Sequence, residues 1–202
     1  MKQQLSEVGI LIGVTGSIGM LNVPVYLEYF RSFFSEIKVI MTESAKQFIP
    51  EEALSLIAGP TYSKLFPLSS TPREYCHVQL ARWADVFIIL PATANILALA
   101  AYGMSHSLLS STILCYEKPI FFFPNMNQCM WEHPATRRNV SLLEDYGHHV
   151  IPPKRQMGFE YASGEVKEIL SMPPADEVLE LIKEEIHQRS NEDILEDNWL
   201  NR

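Results

Sequence analysis

The chain lacks any stretch of about 18 uncharged apolar residues, the length that a membrane-spanning helix requires. It also lacks a basic cluster, since 24 acidic residues outnumber 16 basic ones and the formal net charge is −8. A general nucleic-acid binder presents a basic face, so this balance argues against nucleic acid as a partner. The N-terminal residues carry one lysine and then an acidic residue, which is not the pattern of a signal peptide. We therefore expect neither a nucleic-acid partner nor a membrane partner.

Cysteine is scarce, and the three thiols, at Cys76, Cys115 and Cys129, form no CxxC pair. A sparse, odd count without a secretion signal is typical of reduced thiols, so we expect a cytoplasmic protein. Cys129 and His133 have the i, i+4 spacing of a helical metal pair. No third or fourth ligand is apparent for that pair, and we expect no metal.

Apolar residues make up 47% of the 202 residues, which supports one sizeable core and argues against disorder. Short runs rich in β-branched and aromatic residues predict buried strands at 8–14, 37–41, 86–90, 119–123 and 149–151. Segments of helical period predict helices near 20–34, 45–58, 78–84, 95–102, 106–114, 128–146 and 174–188. This alternation predicts an α/β fold with a mainly parallel sheet and helices on both faces. The polar residues after 188 predict a tail, or an oligomer contact through Trp199 and Leu200.

Small polar or amide residues follow four of the predicted strands, at the point where each strand ends. The segments are 15–19 (TGSIG), 42–44 (TES), 91–95 (PATAN) and 124–127 (PNMN). In an open parallel sheet the carboxyl ends of the strands share one edge, and ligands bind there. These loops together indicate a flat polar cofactor that carries a phosphate and is held by neutral groups.

The first of these loops suits a phosphate. Gly16 and Gly19 allow a tight turn, the following helix start directs amide hydrogens at an anion, and Ser17 adds a hydroxyl. The loop is neither a Walker loop nor a complete GxGxxG, so a tight turn without a ligand is the alternative. At the end of the second predicted strand, where a dinucleotide's ribose partner is expected, the residues are Thr42 and Ser44 with Glu43 between them, which weakens an NAD interpretation.

Two residues are candidates for catalysis. His77 follows a polar turn and precedes a predicted helix, and imidazole exchanges protons near neutral pH; a capping or surface histidine is the alternative. Asn127 carries a neutral amide that could anchor a carboxylate, and a turn residue is its alternative. Cys76 beside His77 lacks an evident orienting group for an activated thiol. Ser17 lacks the GxSxG context of a hydrolase nucleophile.

The segments PATANI (91–96) and PNMNQCMW (124–131) resemble the PASANT and PxMNxxMW motifs of the homo-oligomeric flavin-containing cysteine decarboxylases. The resemblance covers about residue 8 to about residue 188. It looks nearest to the lantibiotic peptidyl-cysteine decarboxylases of the epidermin and mersacidin types. It implies a single Rossmann-like or flavodoxin-like domain, a flavin cofactor (FMN or FAD) and a homotrimer or homododecamer. It also implies a flavoprotein decarboxylase domain at 1–188 with a substrate clamp about 152–172, and a polar C-terminal tail at 189–202.

The resemblance also implies roles for individual residues. The catalytic residues are His77 and Asn127. The substrate-binding residues are Asn127, Met130, Phe159 and Ser163. The flavin-binding residues are Gly16, Ser17, Ile18, Ser44, Thr93, Ala94, Asn95 and Asn125.

The activity that the resemblance implies is oxidative decarboxylation of the C-terminal cysteine of a lantibiotic-type precursor peptide. The product is an aminoenethiol that leads to aminovinyl-cysteine, and a lantibiotic synthetase is a candidate further partner. One alternative is phosphopantothenoylcysteine decarboxylase of coenzyme A synthesis, but its flap cysteine is missing from 159–164. Others are a non-catalytic flavin-binding regulatory homologue, which the presence of both His77 and Asn127 disfavours, and a flavin prenyltransferase, which the intact 124–131 motif fits poorly.

Overall fold

The computed structural model describes residues 5–65 and 76–200, with the backbone alone from 190 onward. Part of the chain forms one parallel sheet. Its strands are β1 (Gly9–Val14), β2 (Glu36–Met41), β3 (Thr61–Tyr62), β4 (Val86–Ala92), β5 (Ile120–Pro124) and β6 (His149–Val150). Their order is β3-β2-β1-β4-β5-β6, and each neighbouring pair is parallel. The predicted α/β fold with a mainly parallel sheet is confirmed. The polar turn before His77 lies outside the described residues.

Helices connect these strands, and short 3₁₀ turns follow β1 and β2 at Ile18–Asn22 and Ala45–Gln47. The helices are α1 (Val23–Phe30), α2 (Glu51–Ala58), α3 (His77–Trp83), α4 (Ala94–Ala101), α5 (Leu108–Cys115), α6 (Gln128–Glu132) and α7 (Pro134–Asp145).

The core lies on the sheet. All residues of β1, β4 and β5 are buried, as expected for parallel strands that are covered on both faces. Leu11, Phe87 and Phe122 belong to one buried cluster. A Cβ on Gly13 would lie 2.5 Å from the Cδ1 atom of Leu109, so α5 lies directly against β1.

The strand order changes direction between β1 and β4. The chain passes from β1 toward β2 and β3 on one side, and from β4 toward β5 and β6 on the other. In open parallel sheets, ligands bind at the carboxyl ends of the strands where the strand order changes direction in this way. The loops predicted to hold a ligand lie at this edge.

Three predicted helices are divided in the structure. The segment 45–58 is a 3₁₀ turn at Ala45–Gln47 and an α-helix at Glu51–Ala58, with Pro50 immediately before the second. The segment 20–34 begins as a 3₁₀ turn, and the α-helix starts at Val23 with a proline in its first turn. The segment 128–146 is two helices, since His133 is extended with φ −60 and ψ 134. A residue before proline avoids the helical region, and proline has no amide hydrogen to donate, so Pro134 ends one helix and starts the next.

The predicted clamp at 152–172 is an antiparallel hairpin, although the sequence patterns predicted no strands there. It consists of β7 (Lys154–Glu160) and β8 (Glu165–Ser171), paired from Lys154 with Ser171 to Glu160 with Glu165. Gly164 closes the turn with a φ of +72, a conformation that favours glycine.

The chain separates into two compact units, Met1–Met172 and Pro173–Arg202. The second unit consists of helix α8 (Ala175–Leu200), so the predicted end of this helix at 188 was wrong. No glycine or proline interrupts the sequence between 175 and 200, and helix-compatible residues such as Glu and Leu continue the helix. The side chains of Trp199 and Leu200 lie outside the described residues. No helix in the described part of the chain has the length and apolar character needed to cross a membrane.

Candidate functional site

Thr15 joins the loop after β1 to the loop after β4. Its hydroxyl is buried, donates to the carbonyl oxygen of Pro91 at 2.7 Å and accepts from the amide of Thr93 at 3.1 Å. Thr93 in turn starts α4, because its Oγ1 accepts from the amide of Ile96 at 3.3 Å. The sequence patterns included Thr15 in the first loop but did not identify it as the link between the two loops.

Asn125 joins the loop after β1 to the loop after β5. It is 7% exposed, and its backbone N–H donates to the carbonyl oxygen of Ala92 at 2.9 Å. Its Oδ1 atom accepts from Ser17 Oγ at 2.9 Å and from the Gly19 amide at 3.0 Å. The carbonyl end of this side chain therefore sets the position of the predicted phosphate loop.

The two loop glycines lie where a side chain does not fit. A Cβ on Gly16 would lie 2.6 Å from Ser44 Cβ and 2.8 Å from the Ser44 backbone carbon. A Cβ on Gly19 would lie 2.7 Å from Asn125 Oδ1 and 3.0 Å from Met172 Cε. The loop after β1 is therefore packed closely between the loops after β2 and β5. Met172 is a neighbour of this loop that the sequence patterns missed.

The loop after β2 is hydroxyl-rich. The Thr42 amide donates to the carbonyl oxygen of Val14 at 3.1 Å, and Thr42 Oγ1 and Ser44 Oγ are 3.2 Å apart. The acidic member of this segment, Glu43, pairs with Lys46 at 2.7 Å. The loops after β1, β2, β4 and β5 therefore meet as a largely neutral surface.

His77 is the first residue of α3. The helix begins with Cys76 as its N-cap, whose amide donates to Gln79 Oε1 at 3.1 Å. The Nδ1 atom of His77 is buried and has no hydrogen-bond partner among the described residues. A buried polar atom without a partner costs about 1–3 kcal/mol, so this atom marks a place where a further group would be stabilised.

Asn127 caps α6. Its Oδ1 atom accepts from the Met130 amide at 2.9 Å, which agrees with the turn-residue interpretation, and the side chain is exposed. Trp131 is 8% exposed and anchors the helix in the core, whereas Met130 is 46% exposed. The short helix thus presents two of the predicted substrate-binding residues at the surface.

The hairpin carries the remaining predicted residues. Phe159 is 50% exposed and stacks edge-to-face on Tyr161 with ring centroids 5.2 Å apart. Ser163 lies in the exposed turn. A hydrogen bond from Lys167, and then one from Ser163, lower the pKa of the Glu160 carboxyl. In the described part of the chain, no hydrogen bond joins His77, Phe159 or Ser163 to the loops at the sheet edge. Nor does any group of three or more metal-ligating side chains occur there.

These features define a parallel α/β domain with a candidate ligand site at the switch point of its sheet, lined by closely packed neutral loops. The chain belongs to the family described as Flavoprotein, which matches residues 1–187. Membership confirms the predicted family and assigns a flavin as the cofactor, without distinguishing FMN from FAD.

Two relatives illustrate the range of likeness. The mersacidin decarboxylase of a Bacillus species is 38% identical over 186 residues, which cover 92% of this chain and 94% of that protein. A probable phosphopantothenoylcysteine decarboxylase of Streptococcus mutans is 36% identical over 148 residues, covering 72% of this chain and 82% of that protein.

Solved structures show the same likeness. MrsD from a Bacillus species matches with a TM-score of 0.77 and 35% identity, over 91% of this chain and 98% of that chain. SpaF, described as an FMN-dependent cysteine decarboxylase, matches with a TM-score of 0.71 and 34% identity, over 80% and 90% of the two chains. A variant of EpiD complexed with the substrate peptide DSYTC matches with a TM-score of 0.77 and 28% identity, over 85% of this chain and 96% of that chain.

The residues present fit a flavin. Gly16 and Gly19 let the first loop pack directly against Ser44 and Asn125, which brings the neutral polar groups of three loops together at the sheet edge. Ser17 and Asn125 supply neutral polar groups beside that loop. The buried, unpartnered Nδ1 atom of His77 is of the kind that a bound ligand or substrate satisfies.

Proposed function

We propose that the chain catalyses flavin-dependent oxidative decarboxylation of the C-terminal cysteine of a lantibiotic-type precursor peptide. The product would be an aminoenethiol that leads to aminovinyl-cysteine. The observation that carries this proposal is the likeness to mersacidin decarboxylase, at 38% identity over 92% of the chain. The likeness to EpiD with its bound substrate peptide supports a peptide as the substrate.

The flavin would be held by the loops at the sheet edge. Ser17 and the backbone of the first loop suit the phosphate, and the loops after β2, β4 and β5 suit the remaining polar groups. The residues proposed for this role are Gly16, Ser17, Ile18, Ser44, Thr93, Ala94, Asn95 and Asn125.

The reaction needs an oxidation before carbon dioxide can leave. An ordinary α-carboxylate leaves a poor carbanion, whereas a thioaldehyde at Cβ places a C=S group β to the carboxylate, where it accepts the electron pair as an enethiolate. When bound, the flavin supplies the two-electron oxidation that no side chain can perform. The overall change is loss of carbon dioxide and two hydrogens from the peptide.

His77 would take the thiol proton of the substrate cysteine. It is half-buried at the start of α3, and a neutral imidazole can share a thiol proton at modest cost because a free thiol has a pKa of about 8.5. His77→Asn should leave the protein yellow but inactive. If this variant still released carbon dioxide at the rate of the parent protein, His77 would not be the group that takes the thiol proton.

Asn127 would orient the substrate carboxylate. Because its Oδ1 atom accepts from the Met130 amide, the Nδ2 hydrogens are the ones that would contact the carboxylate. A neutral donor orients that group and leaves its charge free to collapse as carbon dioxide. Met130, Phe159 and Ser163 would cover the peptide end and exclude water.

Mass spectrometry of a synthetic peptide ending in cysteine tests the proposal. The flavin-loaded protein should remove carbon dioxide and two hydrogens from it, and should leave the matched peptide ending in serine unchanged. An unaltered cysteine peptide, with flavin bound, would contradict the proposal.

The likeness to a probable phosphopantothenoylcysteine decarboxylase makes that activity the second candidate. The hairpin has no cysteine between 154 and 171, whereas that activity uses a cysteine in the flap over the substrate. Assaying phosphopantothenoylcysteine beside the peptide, under the same conditions, separates the two activities.

The assembly and location belong to the same proposal. Ile18, Leu21 and Val25 are 44%, 47% and 63% exposed beside the first loop, which suits contact between copies in a homotrimer or homododecamer. Light scattering of the eluted protein measures that state, and a monomer would contradict it. The free thiols of Cys76, Cys115 and Cys129 suit a cytoplasmic location, where a lantibiotic synthetase could act as a partner.

A further inference from the structure

Helix α6, which begins with Asn127, is too short to hold its own position. It spans Gln128–Glu132, and the Trp131 amide donates to the Asn127 carbonyl oxygen at 3.0 Å. Helices of a single turn are marginal in water, so tertiary contacts must set where this one lies. One such contact is the burial of Trp131, with the Arg137 guanidinium 5.2 Å from its ring centroid.

A second contact joins the last residue of α6 to the hairpin. The Oε1 atom of Glu132 accepts from Gln128 Nε2 at 2.8 Å within the helix, and lies 3.4 Å from Arg155 Nη2 in β7. The other arm of the same guanidinium donates to Glu168 Oε1 in β8 at 2.7 Å. A continuous polar chain therefore runs from both hairpin strands to the residue next to Asn127.

We propose that the Arg155–Glu132 pair is a latch that positions the hairpin β7–β8 against helix α6. This inference rests on the proposed function, because α6 would hold the substrate carboxylate and the hairpin would cover the peptide. Glu132 and Arg155 are positioning residues, and neither is placed in contact with the substrate. Two carboxylates, those of Glu132 and Glu168, already pair with Arg155. Because its charge is balanced within the protein, we do not expect Arg155 to bind the peptide directly.

The expected effect is on substrate binding. When the Arg155–Glu132 pair is broken, part of the free energy of peptide binding is used to order the hairpin. Peptide affinity therefore falls, and KM should rise more than kcat falls. Exposed ion pairs have modest strength, and both side chains here are about half exposed, so a rise of about two- to fivefold in KM is expected.

Four variants of the flavin-loaded protein test this inference: Glu132→Gln, Arg155→Met, the double variant, and Lys167→Met as the matched control. The control breaks the Lys167–Glu160 pair within the hairpin without touching α6. The measurements are kcat and KM for a peptide ending in cysteine, and hydrogen–deuterium exchange of the amides at 154–171. Exchange does not depend on turnover, so the latch is measured even if the proposed activity fails.

Each single variant should raise KM and speed hairpin exchange, and the double variant should do no more than Arg155→Met alone, which already loses the bonds to both Glu132 and Glu168. The control should leave both measurements near those of the parent protein. Additive effects, or an equal effect of the control, would overturn the latch. An increase in KM for Arg155→Met alone would also overturn it, and would place Arg155 on the peptide instead.

Discussion

Replacing Thr15 with valine should loosen the connection between the loops after β1 and β4. Thr15 is 2% exposed, and its hydroxyl makes hydrogen bonds of 2.7 Å to the Pro91 carbonyl and 3.1 Å from the Thr93 amide. Thr15→Val keeps the shape of the side chain and removes both bonds. Each bond contributes about 0.5–1.5 kcal/mol, so the free energy of unfolding should fall by about 1–3 kcal/mol. If the flavin-bound protein loses about 1 kcal/mol more stability than the flavin-free protein does, flavin affinity weakens about fivefold.

Urea unfolding followed by circular dichroism measures the first quantity, and flavin fluorescence titration measures the second. Thr15→Ser is the control, because it keeps the hydroxyl and loses only a methyl group. It should lose some stability, about 1 kcal/mol for the buried methyl, while flavin affinity stays near that of the parent protein. If Thr15→Val unfolded at the same urea concentration as the parent and bound flavin equally well, the two loops would not depend on this hydroxyl.

Three further variants test other parts of the molecule. Gly19→Ala places a Cβ 2.7 Å from Asn125 Oδ1, so flavin affinity should fall in the same titration; unchanged affinity would show that the loop can yield there. Asn127→Asp still caps α6, so the melting temperature should hold, but its charge opposes the substrate carboxylate and should raise KM at least about tenfold in steady-state assays. Burial, and then the neighbouring His149, lower the pKa of His148 from its ordinary 6.5, and its Nδ1 accepts from the Ile120 amide. The unfolded chain therefore binds a proton at this histidine more readily than the folded chain does. The free energy of unfolding should fall as the pH drops from 6.5 through the lowered pKa of His148. His148→Gln should reduce that pH dependence in urea unfolding, and an unchanged dependence would contradict its assignment to this histidine.

Local patterns determined the strands and the edge of the sheet that holds the site. Runs of apolar residues such as 86–90 and 119–123 predicted buried strands, and the structure has β4 and β5 there. Parallel strands place their carboxyl ends together, so the positions of the four polar loops followed from the strands. The motifs at 91–96 and 124–131 were sufficient to predict the family that the comparisons confirm.

Other features needed closer attention to single residues, or were absent from the pattern. Pro134 divides the predicted helix 128–146, and its place in the sequence could have predicted that break. The hairpin was missed because its strands are mostly exposed and have no buried apolar face with a period of two. The roles predicted for His77, Asn127 and the flavin-binding residues remain predictions.

The sequence by itself determined five of the six strands of the parallel sheet, their order along the chain and the chemical character of the loops after them, because these depend on residues that are close together. Only the tertiary structure decided which loops touch. Ser17 and Asn125 are 108 positions apart, and Thr15 and Pro91 are 76 apart, yet each pair is hydrogen-bonded. Such contacts depend on how the sheet twists and how helices pack on it, which no local period records. The same is true of the Arg155–Glu132 pair, whose partners lie on a hairpin and a helix that the sequence places in separate segments.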